Sequence, residues 1–392
     1  MSVESRRPEA AAGQRCRPAP IAVGEADLAS LRQRLATARW PSRETVDDWS
    51  QGVPLDYLKN VCDYWGAMYD WRRVERELNA FEQLQFKSSD GTGIQILHAP
   101  SPCAEAVPVI LTHGWPGSVV EFLDVVERLR RPWLDGGDPK DAVHVVCPTL
   151  PGYGFSEQPT SLGWGIERIS DEWAAIMSAL GYDQFVAAGG DWGAFVSIQL
   201  ASRHPTNCVG LYLSMIPTRS RVVGDDNGGA RDALEARRHY DEWEAGYAQV
   251  QATRPQTLGY ALADSPLGQA AWILEKFAAW TDHPAGTPPP ISVDRLLDNV
   301  MHYVLNSAGA SSARLYWESF RKMRVPRVAV PTAATVFPKE VLRPPRRWAE
   351  VDFPNLRYWS NAPAGGHFPA LEVPDVFVEE IRAGLRSLRG VF

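Results

Sequence analysis

Gly189-Gly190-Asp191-Trp192-Gly193 is the segment of this chain best suited to chemistry. It follows an apolar, strand-like run, Phe185–Ala188, and precedes a helical period carrying Phe195, Val196, Ile198 and Leu200. A strand, a tight turn and a helix, with glycines two before and two after a central residue, are the parts of a nucleophile elbow. The glycines serve a strained turn that neighbouring backbone passes closely. The apex residue is Asp191, and a carboxylate is poorly suited to opening an amide. It can attack an sp3 carbon and form an alkyl ester, which points to epoxide opening or dehalogenation rather than acyl transfer. The plain alternative, a Gly-Asp turn without catalytic meaning, is weakened by the strand before it and the helix after it.

An ester on Asp191 must be broken by water, and that requires a base. Histidine is the default, because its pKa lies near operating pH. Of eight histidines, His367 in Gly365-Gly366-His367-Phe368 comes last, after the final strand signal and before the final helix. Elbow hydrolases order nucleophile, acid and histidine along the chain, so His367 is the candidate base. His239, His283 and His302 fall in a helical stretch and read as surface or packing residues. The acid that orients the imidazole should lie between the elbow and His367. Glu340, in Phe337-Pro338-Lys339-Glu340, is one candidate and Asp352 is its competitor. Hydrolysis also creates an oxyanion. His113-Gly114-Trp115-Pro116-Gly117-Ser118 follows the apolar run Val107–Thr112, where such a loop supplies one backbone N–H, that of Trp115; the N–H of Trp192 is the second. Epoxide opening leaves an alkoxide that a phenol can hold while staying protonated at neutral pH. Tyr240, Tyr247, Tyr260, Tyr303 and Tyr316 are available, and residue type does not choose among them.

The elements that must position these groups are visible as changes of period. Residues 25–80 read as helical, with Leu28, Leu31 and Leu35 on one face and Leu58, Val61, Trp65 and Met68 on another. Phe81–Lys87 is strand-like, and Asp90-Gly91 turns into Ile94–Leu97. Short apolar runs then alternate with helices: Val107–Thr112, Val143–Cys147, Phe185–Ala188 and Val209–Leu213. A helix with Ile169, Trp173, Ile176 and Leu180 on one side ends at Gly181. This alternation predicts a mostly parallel sheet covered on both faces. It stops near Ser214. Residues 219–325 read as helical, strand signals return at Arg327–Val330 and Leu356–Trp359, and a last helix carries Phe377, Ile381, Leu385 and Leu388. The expected division is an N-terminal extension at 1–90, an α/β core at 91–218 and 326–392, and a helical lid at 219–325 above the carboxyl edge of the strands.

Composition narrows the partners. The 392 residues carry 40 Lys and Arg against 47 Asp and Glu, a net charge of −7, which disfavours nucleic acid. Fifteen tryptophans fit an aromatic-lined pocket for an apolar ligand as well as they fit core packing. The start, residues 1–20, has no apolar stretch behind its charges and reads as a mobile tail rather than a signal peptide or membrane anchor. Five widely spaced cysteines, without a C-x-x-C pair, fit reduced thiols in a cytoplasm.

With these motifs assembled, the chain resembles the microsomal-type epoxide hydrolases of the α/β-hydrolase superfamily. The resemblance rests on His113–Ser118, Pro151-Gly-Tyr-Gly-Phe-Ser156, Gly189–Gly193, Asp264-Ser-Pro-Leu-Gly268 with Trp272–Phe277, Phe337–Glu340 and Gly365–Phe368, and it covers nearly the whole length. It implies Asp191 as nucleophile, His367 as base, Glu340 as its acid, and Tyr247 and Tyr316 as donors to the epoxide oxygen. It sets Trp115 and Trp192 at the oxyanion and against the substrate, and it requires no metal or cofactor. The implied substrate is a small-molecule epoxide, aryl or otherwise bulky and apolar, converted to a vicinal diol in detoxification or in natural-product biosynthesis such as enediyne or polyketide routes. Membrane-bound relatives carry an apolar anchor that this chain lacks, so a soluble bacterial-type member is expected, as a possible homodimer. A dehalogenase acting on haloalkanes or fluoroacetate-like acids is the alternative reaction. A non-catalytic binding protein on the same scaffold is the alternative class.

Overall fold

The computed structural model describes residues 15–218 and 228–390. Nine strands form one sheet: β1 (Cys16–Pro18), β2 (Glu82–Lys87), β3 (Gly93–Ala99), β4 (Val107–Thr112), β5 (Val143–Pro148), β6 (Phe185–Gly189), β7 (Cys208–Leu213), β8 (Thr332–Val336) and β9 (Leu356–Asn361). Their spatial order is β1-β2-β3-β5-β4-β6-β7-β8-β9. The pairings β1·β2, β2·β3 and β3·β5 are antiparallel, and every pairing from β5·β4 through β8·β9 is parallel. The protein therefore has the mostly parallel sheet that its strand–helix alternation predicts, in the α/β-hydrolase fold that the family resemblance implies. The inner parallel strands are covered on both faces, so β6 and β8 are buried at every position, whereas the edge strand β9, Leu-Arg-Tyr-Trp-Ser-Asn, is only partly buried.

The topology places the site. Strand β4 lies between β5 and β6, so the chain reverses direction across the sheet beside it. In open α/β sheets the crevice at such a switch point, beyond the carboxyl ends of the strands, is where ligands bind. Thr112 at the end of β4 pairs with Gly189 at the end of β6. That register sets the His113–Ser118 loop beside the elbow, and the ends of β8 and β9 send 337–340 and 362–367 to the same edge.

Between β7 and β8 the described chain is helical: Gly228–His239, Gly246–Thr253, Pro255–Asp264, Pro266–Trp280, Val293–Val304 and Gly309–Leu315, with wider π-helical turns at Tyr240–Glu244 and Tyr316–Phe320. Three further helices, Glu25–Ala36, Leu55–Ala67 and Trp71–Leu78, precede the sheet. These N-terminal helices grip the helical block through polar contacts. Arg34 donates to the carbonyls of Ala263 and Asp264, each at 2.7 Å. Asp298, fully buried, accepts from Tyr69 Oη at 2.7 Å and from Arg73 Nη2 at 2.6 and 2.7 Å. Removing one member of a buried charged set leaves the others desolvated and unpaired. Asp298→Ala is thus expected to lower stability by about 3 kcal/mol, read as a lower urea midpoint. An unchanged midpoint would show that the cluster holds nothing.

Several expectations need correction. The strand expected at Arg327–Val330 lies at Thr332–Val336. Pro326 and Pro331 bracket the earlier segment, and a proline cannot donate to the ladder, so regular pairing begins beyond Pro331. Residues 1–20 are not all tail: Cys16–Pro18 pairs with Leu84–Phe86 as an edge strand, a run too short to show a period; residues 1–14 lie outside the described residues. Met68, expected on the buried face of its helix, is 72% exposed. The helix ends at Ala67, so Met68 no longer follows its rotation.

Candidate active site

Asp191 begins the helix Asp191–Arg203 with φ +47°, a left-handed conformation that only a forced turn gives a residue bearing Cβ. The surrounding glycines show what forces it. A Cβ on Gly193 would lie 1.9 Å from the Thr112 carbonyl oxygen, and one on Gly189 would lie 2.6 Å from the Gly193 carbonyl carbon. Strand β4 and the helix thus meet backbone to backbone, as the glycine spacing predicts. A Cβ on Gly114 would lie 2.3 Å from Asp191 Oδ1, so the loop after β4 closes directly over the carboxylate. There the Trp115 N–H donates to Asp191 Oδ1 at 2.7 Å. The N–H of Trp192, in the first helical turn, has no intrahelical acceptor. The Trp192 amide lies at the positive end of the helix dipole, an arrangement suited to an oxyanion that forms beside it.

His367 Nε2 stands 3.6 Å from Asp191 Oδ2, and His367 Nδ1 is 2.7 Å from Glu340 Oε1. Glu340 is buried, and its Oε1 also accepts the Val341 N–H at 2.6 Å. Burial alone would lower the imidazole pKa. The charges of Glu340 and Asp191, with the hydrogen bonds to both, outweigh it and hold that pKa well above the ordinary histidine value. Asp352, the competing acid, ends the helix Arg346–Asp352, where its carbonyl accepts the Val328 N–H at 2.9 Å. Glu340 is the carboxylate on the imidazole.

The loop that carries His367 is fixed by an acid that sequence reasoning did not single out. Glu372 accepts from Gly366 N–H at 2.9 Å, Phe368 N–H at 2.8 Å and Asp282 N–H at 2.7 Å. Burial pushes its pKa up to about 7 despite those three donors. The His367 N–H donates to the Trp280 carbonyl at 2.8 Å. A Cβ on Gly366 would stand 2.3 Å from that carbonyl oxygen, which explains the second glycine of the Gly-Gly-His motif.

Tyr247 and Tyr316 are both buried, with their hydroxyls 3.5 Å apart. Tyr247 stacks on Trp115 at a centroid distance of 4.6 Å, and Tyr316 meets the edge of Trp192 at 4.7 Å. Burial, and then neighbouring groups that include Asp191, push both phenols well above their usual pKa, so they remain donors. Tyr240, left open by the sequence, places its hydroxyl 3.1 Å from that of Tyr247. The remaining candidates lie elsewhere: Tyr303 donates to the Gly117 carbonyl at 2.7 Å, and Tyr260 is exposed. Of the histidines set aside, His302 is fully buried and packs against Trp71 and Phe155, whereas His239 and His283 lie on the helical block away from these contacts.

Two cavities adjoin Asp191. One of about 230 Å³ is lined by Asp191, Trp192, Tyr240, Tyr247, Trp280 and Tyr316 together with Arg237 and apolar side chains. A space of about 380 Å³ outside it shares Phe195, Arg237, Met323 and Leu342. The other cavity, of about 20 Å³, borders Asp191, His367, Gly114 and Glu121; Trp115 also lines it. Among the described residues there is no group of three or more His, Cys, Asp or Glu placed to hold a metal, and no helix long and apolar enough to cross a membrane.

A nucleophile elbow with an aspartate apex, inside an α/β-hydrolase sheet, defines a class of hydrolases. Comparison with known proteins narrows it. The profile described as the epoxide hydrolase N terminus matches residues 16–122, and that of the alpha/beta hydrolase fold matches residues 107–269. A Stigmatella aurantiaca chain provisionally named an epoxide hydrolase is 46% identical over 375 residues, covering 95% of this chain and 85% of that one. Epoxide hydrolase 1 of Sus scrofa is 31% identical over 408 residues, covering 96% and 90%. The crystal structure of juvenile hormone epoxide hydrolase from Bombyx mori superposes with a TM-score of 0.86 at 27% identity, over 95% of each chain. The chain belongs to the microsomal-type epoxide hydrolases and is a hydrolase of that family.

Proposed function

We propose that the protein opens epoxides bearing a bulky apolar, aryl-type substituent and releases vicinal diols through an ester on Asp191. The observation that carries this reading is the pair of buried phenols, 3.5 Å apart, on the same cavity as the Asp191 carboxylate. Two donors that stay protonated suit an oxygen that gains charge as a carbon–oxygen bond breaks. Tyr247 and Tyr316 hold the epoxide oxygen, Asp191 attacks a ring carbon in line, and the phenols lend a proton to the alkoxide.

Forming the ester removes the charge on Asp191. His367 then loses a neighbour that favoured its imidazolium form, sheds a proton that restores the phenol, and becomes a base. It takes a proton from water as the water oxygen bonds to Asp191 Cγ. The Trp115 and Trp192 amides hold the oxyanion. Collapse breaks the ester bond, and the departing diol oxygen takes the imidazolium proton. Glu340 keeps the imidazole oriented through both transfers. Support for this substrate class is the mostly aromatic and apolar lining of the cavity, in which Arg237 is the one basic side chain among the described residues, and the outer space that continues it.

Styrene oxide is expected to yield a diol, with no halide released from a matched chloroalkane; the reverse pattern would favour the dehalogenase. Tyr247→Phe and Tyr316→Phe should each slow ester formation about 100-fold and leave ester breakdown unchanged. Formation rates equal to wild type in both variants would remove the phenols from the mechanism.

A further inference from the structure

The mechanism leaves one buried acid beside the nucleophile without a task. Glu121 lies in the short 3-10 turn Val119–Phe122, directly after the loop that supplies the Trp115 amide. It is 9% exposed and lines the cavity of about 20 Å³ together with Asp191 and His367. That volume holds one water. Among the described residues, Asp191 is the one that lines both this space and the 230 Å³ cavity carrying the phenols. The two spaces differ in size and lining: the larger suits an organic substrate, and the smaller suits a single water between a base and the future ester carbon.

Glu121 also has an ordinary local role. Ser118 Oγ accepts the Val120 N–H at 3.3 Å, and the Ser118 N–H reaches the Glu121 carboxyl, so Ser118-x-x-Glu121 forms a capping box. A cap alone does not need a buried carboxyl. Here a Cβ on Gly117 would stand 1.4 Å from Glu121 Oε1, so the carboxyl rests directly on the Gly117 backbone, in space that any larger residue would fill. Burial pushes its pKa up to about 8; His367 pulls it down and the Asp191 charge raises it, so both catalytic groups are electrostatically felt at this carboxyl.

We propose that Glu121 is a positioning residue for the hydrolytic water: a carboxyl oxygen accepts one O–H of the water in this space, the other O–H faces His367 Nε2, and an oxygen lone pair is left directed at Asp191 Cγ. Glu121 exchanges no bond in this step; the proton that leaves the water goes to His367. The inference rests on the ester reading of Asp191, and its effect falls on one half-reaction only.

Single-turnover reaction of the full chain with styrene oxide, quenched and followed by protein mass, separates ester formation from ester breakdown. Glu121→Leu removes the acceptor. Formation should stay within about threefold of wild type, while breakdown slows about 100-fold, the scale of a misplaced reactant. Glu121→Gln keeps an amide oxygen and should restore breakdown to within about tenfold of wild type. Should the branched leucine prevent folding, Glu121→Met gives the same readout. The formation rate reports an intact site, so a loss confined to breakdown does not come from a damaged fold. Unchanged breakdown in the Leu or Met variant overturns the proposal, as does an equal fall in both steps. Failure of wild type to form any ester overturns the Asp191 reading instead, which keeps the two failures apart.

Discussion

Asp191→Asn is expected to abolish turnover, with kcat falling by at least about 10⁴-fold, while the fold persists. The amide has the shape of the carboxylate and an oxygen able to accept the Trp115 N–H, so the 2.7 Å contact that closes the loop over the elbow can be kept. What is lost is the charge that makes the side chain a nucleophile toward carbon. Thermal unfolding should show a midpoint close to wild type, which separates lost chemistry from lost structure. Residual activity within tenfold of wild type would mean that the elbow carboxylate does not react. Among the described residues no other acid occupies its place: Glu121 lies on the small cavity and Glu340 is held by the imidazole.

The second large effect is expected at His367. His367→Gln leaves Asp191 and the phenols in place, so ring opening should proceed once per molecule. Ester breakdown loses its base and should slow about 10³-fold. The predicted trace is a burst of one equivalent of consumed epoxide followed by near arrest. Intact-protein mass should rise by one substrate mass, with the addition on the peptide containing Asp191. Steady turnover near the wild-type rate would rule out His367 as base. Loss of turnover without any adduct would place the histidine in ring opening instead.

The parts of the site that could be read from sequence are those whose requirements are local. The elbow is written in five consecutive residues, because the close approach of Gly193 to Thr112 forbids any side chain there. The Gly-Gly-His loop is legible for the same reason, since Gly366 passes the Trp280 carbonyl. Chain order alone leaves Glu340 and Asp352 open, the family resemblance implies Glu340, and the 2.7 Å contact with His367 gives that choice its physical ground. The phenols were not separable by residue type. Tyr247 and Tyr316, which only the family resemblance singled out, come from two different segments of the helical block, and their convergence, with Tyr240 behind Tyr247, is the physical feature that separates them from Tyr260 and Tyr303. Glu121 and Glu372 stayed hidden because a glutamate reads as a solvated residue, or at most as the end of a capping box, until burial is known. In the fold, the long buried strands carried their own signal. The three-residue edge strand β1 did not, and the proline-bracketed segment before β8 carried a false one.

The covalent route makes one demand that no direct attack of water on the epoxide shares. The oxygen added to the substrate comes from Asp191, and the oxygen of water replaces it in the carboxylate. A single turnover with enzyme in excess, run in water enriched in heavy oxygen, tests this most directly when diol and the Asp191 peptide are weighed separately. The account predicts an unlabelled diol and a label in Asp191. Label found in the diol, with Asp191 unlabelled, would contradict it.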